Sequence, residues 1–168
     1  MKISVITVCF NSSKTILDTI KSVNNQSYTE IEHIFIDGVS NDNTLNIIKL
    51  NSKNNHILIS EKDSGIYDAM NKGILIANGD IICILNSDDY LKNKFVLQKV
   101  VNEFNKSGAD MVYGNIDYIN KKGNIVRFWD SSIYEINSFK MGWHPPHSSL
   151  FIKKIVYEKC GLFDTDFK

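Results

Sequence analysis

Apolar residues along this chain recur with two spacings that take turns. Ile3 to Phe10 is a nearly continuous β-branched run, the pattern of a strand buried on both faces. Ser12 and Ser13 then offer a helix cap, and Ile16, Ile20 and Val23 follow at helical spacing. The pattern returns with a strand over Ile31 to Ile36, cap candidates Asn41 and Asp42, and an amphipathic helix opening on Leu45, Ile47 and Ile48. A third strand, His56 to Ser60, leads through the polar loop Glu61 to Gly65 into a helix from Ile66 to Ala77, which Asn78-Gly79 ends. The most apolar strand, Ile81 to Leu85, reads as central in a parallel sheet and stops abruptly at Asn86-Ser87-Asp88-Asp89. Phe95, Val96, Val100, Val101 and Phe104 mark a further helix closed by Gly108, and Asp110 to Tyr113 a further strand. Parallel neighbours need crossover connections, so this repetition predicts an α/β domain: a mostly parallel sheet flanked by helices on both faces.

Beyond Gly114 the rhythm changes. Ile116 to Ile119 and Ile125 to Trp129 flank a polar, glycine-containing linker that suits a β-hairpin. Trp143-His144-Pro145-Pro146-His147 precedes a strand from Ser148 to Ile152 and a short helix from Lys154 to Lys159. With no repeat, low-complexity tract or linker in view, residues 1–168 are expected to form a single domain. Its binding half is 1–115, and 116–168 make an incomplete second half whose last stretch, Gly161 to Lys168, reads as a segment that continues.

Composition narrows the function. At 168 residues and 43% hydrophobic, the chain can build its own core, and disorder is excluded. Nineteen basic residues balance nineteen acidic ones, so no global field draws it to DNA or RNA, and a nucleic-acid partner is not expected. Arg127 is the one arginine, so an arginine-cluster phosphate site is excluded and any phosphate must be held otherwise. Cys9, Cys83 and Cys160 are widely spaced and odd in number, which predicts reduced thiols, with Cys160 facing the core. No apolar stretch approaches the roughly 18 residues of a spanning helix, and the N-terminal run is too short for a signal peptide. A cytoplasmic setting is expected, at the inner face of a membrane if the C-terminal region attaches there.

Ligands of open α/β sheets bind beyond the carboxyl ends of the strands. Those ends carry Thr7 to Asn11, Asp37 to Ser40, Glu61 to Gly65 and Asn86 to Asp89, so four strands deliver acids or amides to one rim. Turn formation and capping explain any one of these loops as well as binding does. Asp88-Asp89 tips the balance, because adjacent carboxylates repel unless something positive sits beside them. Mg²⁺ or Mn²⁺ meets that need and takes one or two carboxylates, leaving its other positions to waters and phosphates. The first strand is followed by neither Gly-x-Gly-x-x-Gly nor a P-loop, which sets dinucleotide and P-loop binding aside.

These residues, in this order, resemble the family 2 glycosyltransferases of the GT-A fold, enzymes that use nucleotide sugars. The resemblance is carried by Ile3-Ser4-Val5-Ile6-Thr7-Val8 with Asn11, by Asp37-Gly38-x-Ser40-x-Asp42-x-Thr44, and by Asp63-x-Gly65-Ile66-Tyr67-Asp68-Ala69-Met70-Asn71-Lys72-Gly73. Asn78-Gly79-Asp80 and Leu85-Asn86-Ser87-Asp88-Asp89 complete it. It implies that Thr7 and Asn11 line a nucleotide pocket, that Asp37 accepts hydrogen bonds from the base, and that Asp63 and Lys72 lie near base, ribose or sugar. It implies further that Asp88 faces ribose or sugar while Asp89 binds the metal bridging the diphosphate. Lys72 read on its own is equally a solvated helix lysine, and Tyr67 and Met70 are packing residues.

Trp143 to His147 is similar to the family's acceptor-side segment, which gives His147 a structural or acceptor-contact role. His144 and His147 lack a nearby third soft ligand for zinc. Inverting sugar transfer needs a general base. In the family that base follows a Gly-x-Phe-Asp segment, here Gly161 to Asp164, so it is expected beyond Lys168 rather than at Asp164 or Asp166. The implied activity is transfer of a sugar from a nucleotide sugar, UDP-sugar favoured, to a glycan or lipid-linked acceptor, as in bacterial surface-polysaccharide synthesis. A nucleotidyltransferase of related fold would need a basic glycine-rich loop after the first strand, and a phosphoacceptor signalling domain an acidic pair there. Neither is present. A nucleotide-sugar-binding fragment without turnover is the remaining alternative.

Overall fold

A computed structural model describes residues 1–53 and 56–166. Strands β1 (Ile3–Cys9), β2 (Ile31–Asp37), β3 (Ile57–Ser60) and β4 (Ile81–Ile84) run parallel, with β1 between β2 and β4. Helices α1 (Ile16–Asn24), α2 (Thr44–Asn51) and α3 (Ile66–Ile76) provide the crossovers, the connection that parallel neighbours require. Then come α4 (Val96–Ser107), β5 (Met111–Tyr113), the hairpin β6 (Ile116–Ile119) and β7 (Ile125–Trp129), β8 (Leu150–Lys153) and α5 (Lys154–Cys160). The six-stranded sheet has the order β3-β2-β1-β4-β8-β5, and β6-β7 form a separate two-stranded sheet.

All seven residues of β1 are buried, as its continuous apolar run predicts. Period-two alternation sends Ile3 and Val5 to one face and Ile6 and Val8 to the other. On the first face α4 contributes Leu97, Val100, Val101 and Phe104, while Ile16 and Ile20 of α1 and Ile48 of α2 pack around Phe35. On the second, Ala69, Met70 and Ile74 of α3 pack on Ile34, Ile36, Ile82 and Ile84, with Tyr157 of α5 against them. Helices on both faces and β4 buried inside the sheet agree with the sequence.

Local details differ. The strand expected over Ser148–Ile152 occupies Leu150–Lys153 after a 3-10 turn at His147–Ser149, and it enters the main sheet antiparallel between β4 and β5. The sheet therefore reaches across the division expected at residue 115. Ser12 opens the turn before α1 through its main-chain oxygen, which accepts from Thr15 and Ile16 N–H, but neither Ser12 nor Ser13 caps the helix with its side chain: Ser12 Oγ meets Ser87 Oγ, and Ser13 N–H donates to Asp42. Asp42 does serve the start of α2, accepting from the N–H and hydroxyl of Thr44. Cys160 is exposed, not in the core, because α5 is a short helix without buried residues that ends there. Cys9 and Cys83 are buried free thiols.

Candidate functional site

The carboxyl ends of β1, β2, β3 and β4 meet on one edge, where Cys9 lies opposite Asp37 and Asp37 opposite Ser60. Hydrogen bonds tie the four loops beyond them into one rim. Asn11, with φ of 50°, accepts through Oδ1 from Asn41 N–H, and its own N–H donates to Ser40 Oγ. Ser12 N–H donates to Thr44 Oγ1, and the hydroxyls of Ser12 and Ser87 join the β1 and β4 loops at 2.8 Å.

Thr7 and Asp37 lie deeper than the sequence implied. Thr7 is fully buried, with its hydroxyl 2.9 Å from His33 Nε2, so its side chain faces the core rather than an open pocket. Asp37 is also fully buried. Its carboxylate accepts from Ser40 N–H and Oγ and from Ser60 Oγ. As it stands, Asp37 anchors the Gly38–Ser40 turn. Burial, then the nearby Asp37 charge, pushes the Cys9 thiol well above its ordinary value, so it stays protonated.

Asp63 is half-buried and accepts from Gly65 N–H at 3.0 Å. Its placement depends on Gly38: a Cβ there would stand 2.7 Å from Asp63 Oδ2. Phe10 flanks the same spot, its ring edge 3.6 Å from that Cβ position, and is 62% exposed. An exposed aromatic at a strand end is a flat face beside a carboxylate. Phe10 falls within the Thr7 to Asn11 strand end, but as neither an acid nor an amide it does not stand out in the sequence. Lys72 is less free than a solvated lysine. Its Nζ lies 2.9 Å from Glu61 and 3.5 Å from Asp68 and donates to Lys62 O, which ties α3 to the loop carrying Asp63. The Glu61 hydrogen bond raises its pKa.

At the end of β4, Asp88 is exposed and Asp89 half-buried. Asp89 Oδ2 accepts from Ser148 Oγ at 2.5 Å and from Asn86 Nδ2 at 3.2 Å, and Thr19 Oγ1 donates to its main-chain oxygen. Ser148 and Asn86 were not singled out in the sequence. Ser148 shows its role only through the sheet, because β8 alone brings it beside β4. His147 is half-buried; burial lowers its pKa, and the charge of Asp89 opposes that shift.

Among the described residues, no three His, Cys, Asp or Glu side chains gather into a metal-binding group. The rim nonetheless fits a hard divalent cation that shares its shell with phosphates and water. Asp89 supplies a carboxylate. Two buried polar atoms, Asn86 Oδ1 and His147 Nε2, have no hydrogen-bond partner among the described residues.

Residues 4–154 match the family described as glycosyl transferase family 2. An uncharacterised glycosyltransferase of Mycobacterium tuberculosis is 30% identical over 181 residues, covering 98% of this chain and 63% of that protein. The Escherichia coli UDP-Glc:alpha-D-GlcNAc-diphosphoundecaprenol beta-1,3-glucosyltransferase WfgD is 30% identical over 128 residues, covering 75% of this chain and 50% of its own. The chain thus spans about two-thirds or less of the length of these relatives. Among solved structures, Staphylococcus aureus TarS 1–349 in complex with UDP superposes with a TM-score of 0.83 at 22% identity, over 100% of this chain and 52% of that one. The mannosyltransferase PcManGT from Pyrobaculum calidifontis, in complex with GDP-Man and Mn²⁺, gives 0.73 at 17% identity, over 98% and 48%. These likenesses establish the GT-A fold, and with the match across nearly the whole sequence the chain belongs to glycosyltransferase family 2.

Proposed function

We propose that the rim holds a nucleotide sugar, a UDP-sugar in the first instance, for inverting transfer of the sugar to a glycan or lipid-linked acceptor. The observation that carries this reading is the placement of Asp88 and Asp89 directly beyond β4, with Asp89 fixed by Ser148 and Asn86. Asp89 would hold Mn²⁺ or Mg²⁺, and the unpaired Asn86 Oδ1 and His147 Nε2 are the further donors that neighbouring residues offer. When bound, that cation neutralises the diphosphate and stabilises it as a leaving group, which a chain with one arginine needs. Asp88, exposed and next to it, faces ribose or sugar.

The base end lies on the β1–β3 side, between the ring of Phe10 and the Asp63 carboxylate. Asn11 and Asp37 hold the turn beneath it, and Thr7 acts from below through the core. Lys72 sets the Asp63 loop. The name of the Escherichia coli relative specifies UDP-glucose and a diphosphoundecaprenol-linked sugar, which supports the donor and acceptor classes proposed for this chain. The His147 side of the rim is the acceptor side.

Calorimetric titration with UDP, GDP and dTDP, each with and without Mn²⁺, tests the reading. UDP is expected to bind more tightly with the metal. Asp89→Asn, which keeps a hydrogen-bonding group for Ser148 but loses the charge, should lower UDP affinity in Mn²⁺ by about tenfold or more, toward the metal-free value. Unchanged affinity would remove the metal assignment.

A further inference from the structure

Helix α3 touches the rim from two directions. At one end of its exposed side Asp68 accepts from Ser64 N–H at 2.9 Å, and Lys72 reaches Glu61 and Lys62, so the loop carrying Asp63 hangs from it. On the other side Asn71, only 9% exposed, holds the backbone of Phe163 with both amide atoms. Nδ2 donates to Phe163 O at 2.8 Å, and Oδ1 accepts from Phe163 N–H at 2.9 Å. Among the described residues, these long-range bonds fasten the segment after α5. Aromatic contacts reinforce them: the Phe163 ring stacks on Tyr67 of α3 at 5.7 Å, and meets Tyr157 at 6.2 Å.

The fourth neighbour of Phe163 links this clamp to the rim. Its ring lies 6.2 Å from that of His147, and the next residue, Ser148, donates to Asp89. Contacts therefore run without a gap from Asn71 through Phe163 and His147 to the residue proposed for the diphosphate end. Directly after Phe163 come Asp164 and Asp166, both exposed, with Asp166 N–H donating to Asp164 Oδ1.

We propose that Asn71 is a positioning residue: by fixing Phe163 it sets where the segment 161–166 stands against the His147–Asp89 wall, and so shapes the part of the site that receives the sugar of the donor. The inference rests on the nucleotide-sugar reading above. A side-chain amide suits the task because it satisfies one backbone donor and one backbone acceptor at once, and a buried backbone group left without its partner is costly.

Two measurements on the whole chain test this. The first is amide exchange in the absence of nucleotide. Asn71→Ala should speed exchange at Phe163 by about tenfold or more while leaving β1 and β4 protected, since local opening is read separately from global unfolding. The second compares affinities for UDP, UDP-glucose and UDP-N-acetylglucosamine in Mn²⁺. UDP should bind Asn71→Ala within about twofold of the unaltered chain, while the UDP-sugar that binds best should weaken by about fivefold or more, because only the sugar reaches the repositioned segment. Asn71→Asp, isosteric and still able to accept from Phe163 N–H, serves if the alanine variant folds poorly, and is expected to fall between the two. Equal weakening of UDP and UDP-sugar would reduce Asn71 to a general structural role and overturn the proposal, as would unchanged exchange at Phe163. If no nucleotide binds the unaltered chain, the donor-site reading falls and the sugar-side role with it, while the exchange rates still decide whether the clamp exists.

Discussion

The smallest feature that decides the geometry of the rim is a missing methyl group. Gly38 follows Asp37 at the end of β2, and its bare Cα lets the Asp63 carboxylate settle against the turn beside Phe10. Adding a Cβ puts a carbon 2.7 Å from Asp63 Oδ2, well inside contact distance. The obstructed atom is the end of a short side chain, so it can swing aside at small cost to the fold. It cannot swing aside and keep its place. Gly38→Ala is therefore expected to change the urea midpoint little, and to weaken UDP by about five- to tenfold if Asp63 faces the nucleotide. Calorimetry and a denaturation curve on the same sample check both halves. A variant that loses stability but keeps its affinity would show that Gly38 serves the turn alone. The sequence placed Gly38 in a family motif without this reason, because Asp63 is 25 positions away and only the pairing of β2 with β3 brings the two loops together.

Among the elements, α3 bears most on the site, and its seating is tight. Gly73 faces the sheet, where a Cβ would come within 2.4 Å of Ile6 Cγ2 and 3.4 Å of Ile36 Cγ1. Two effects oppose each other in Gly73→Ala. Helix propensity favours alanine by about 1 kcal/mol, whereas forcing a methyl into a packed core typically costs about 1–3 kcal/mol. A gap of 2.4 Å is too short for relaxation of one side chain, since Ile6 is fully buried in β1, so overpacking prevails. Gly73→Ala should lower unfolding free energy by up to about 2 kcal/mol in urea titration; a stabilised variant would mean that α3 can lift from the sheet freely. The periodicity of α3 was legible, as were β1 to β4 and α4, because each carries its own repeat of apolar residues. The position of β8 was not. Leu150 to Lys153 announces a strand, but nothing local says that it will lie antiparallel between β4 and β5, a choice made by pairing with residues about 70 positions back and 40 back. That choice brings Ser148 to Asp89, so the part of the site that depends on β8 was hidden for the same reason.

Across the whole molecule, the residue that couples the core to solution conditions is one that the pattern of hydrophobic positions passes over. His33 lies in β2 within an apolar run, 6% exposed, with its ring 4.0 Å from that of Phe35 and its Nε2 on the Thr7 hydroxyl. Its Nδ1 is buried without a partner among the described residues. Burial, with a smaller contribution from His56, lowers its pKa from 6.5 to about 3. The unfolded chain thus takes up a proton on this ring as pH falls below 6.5, whereas the folded chain does not until about pH 3. Between those values the unfolded state binds more protons, so acid favours it, and the stability from keeping His33 neutral is present above pH 6.5 and lost progressively below. One proton of difference corresponds to about 1.4 kcal/mol per pH unit. Glu32, on the adjacent position of β2, adds to the same trend at lower pH: burial pushes its pKa up, but hydrogen bonds from Lys2, Ser4 and Asn78 outweigh that and bring it below 4.5. The two contributions separate by pH and by mutation. His33→Gln keeps a hydrogen-bonding group for Thr7 and does not titrate, so unfolding free energy measured in urea should lose the share of its slope between pH 6.5 and 5 that His33 supplies, leaving that of His147, whose pKa burial also lowers. The fall below pH 4.5, where Glu32 and the other carboxylates protonate, should persist. An unaltered slope between pH 6.5 and 5 in His33→Gln would mean that the ring takes up its proton in the folded state, and that the sheet opens around β2 before the molecule unfolds.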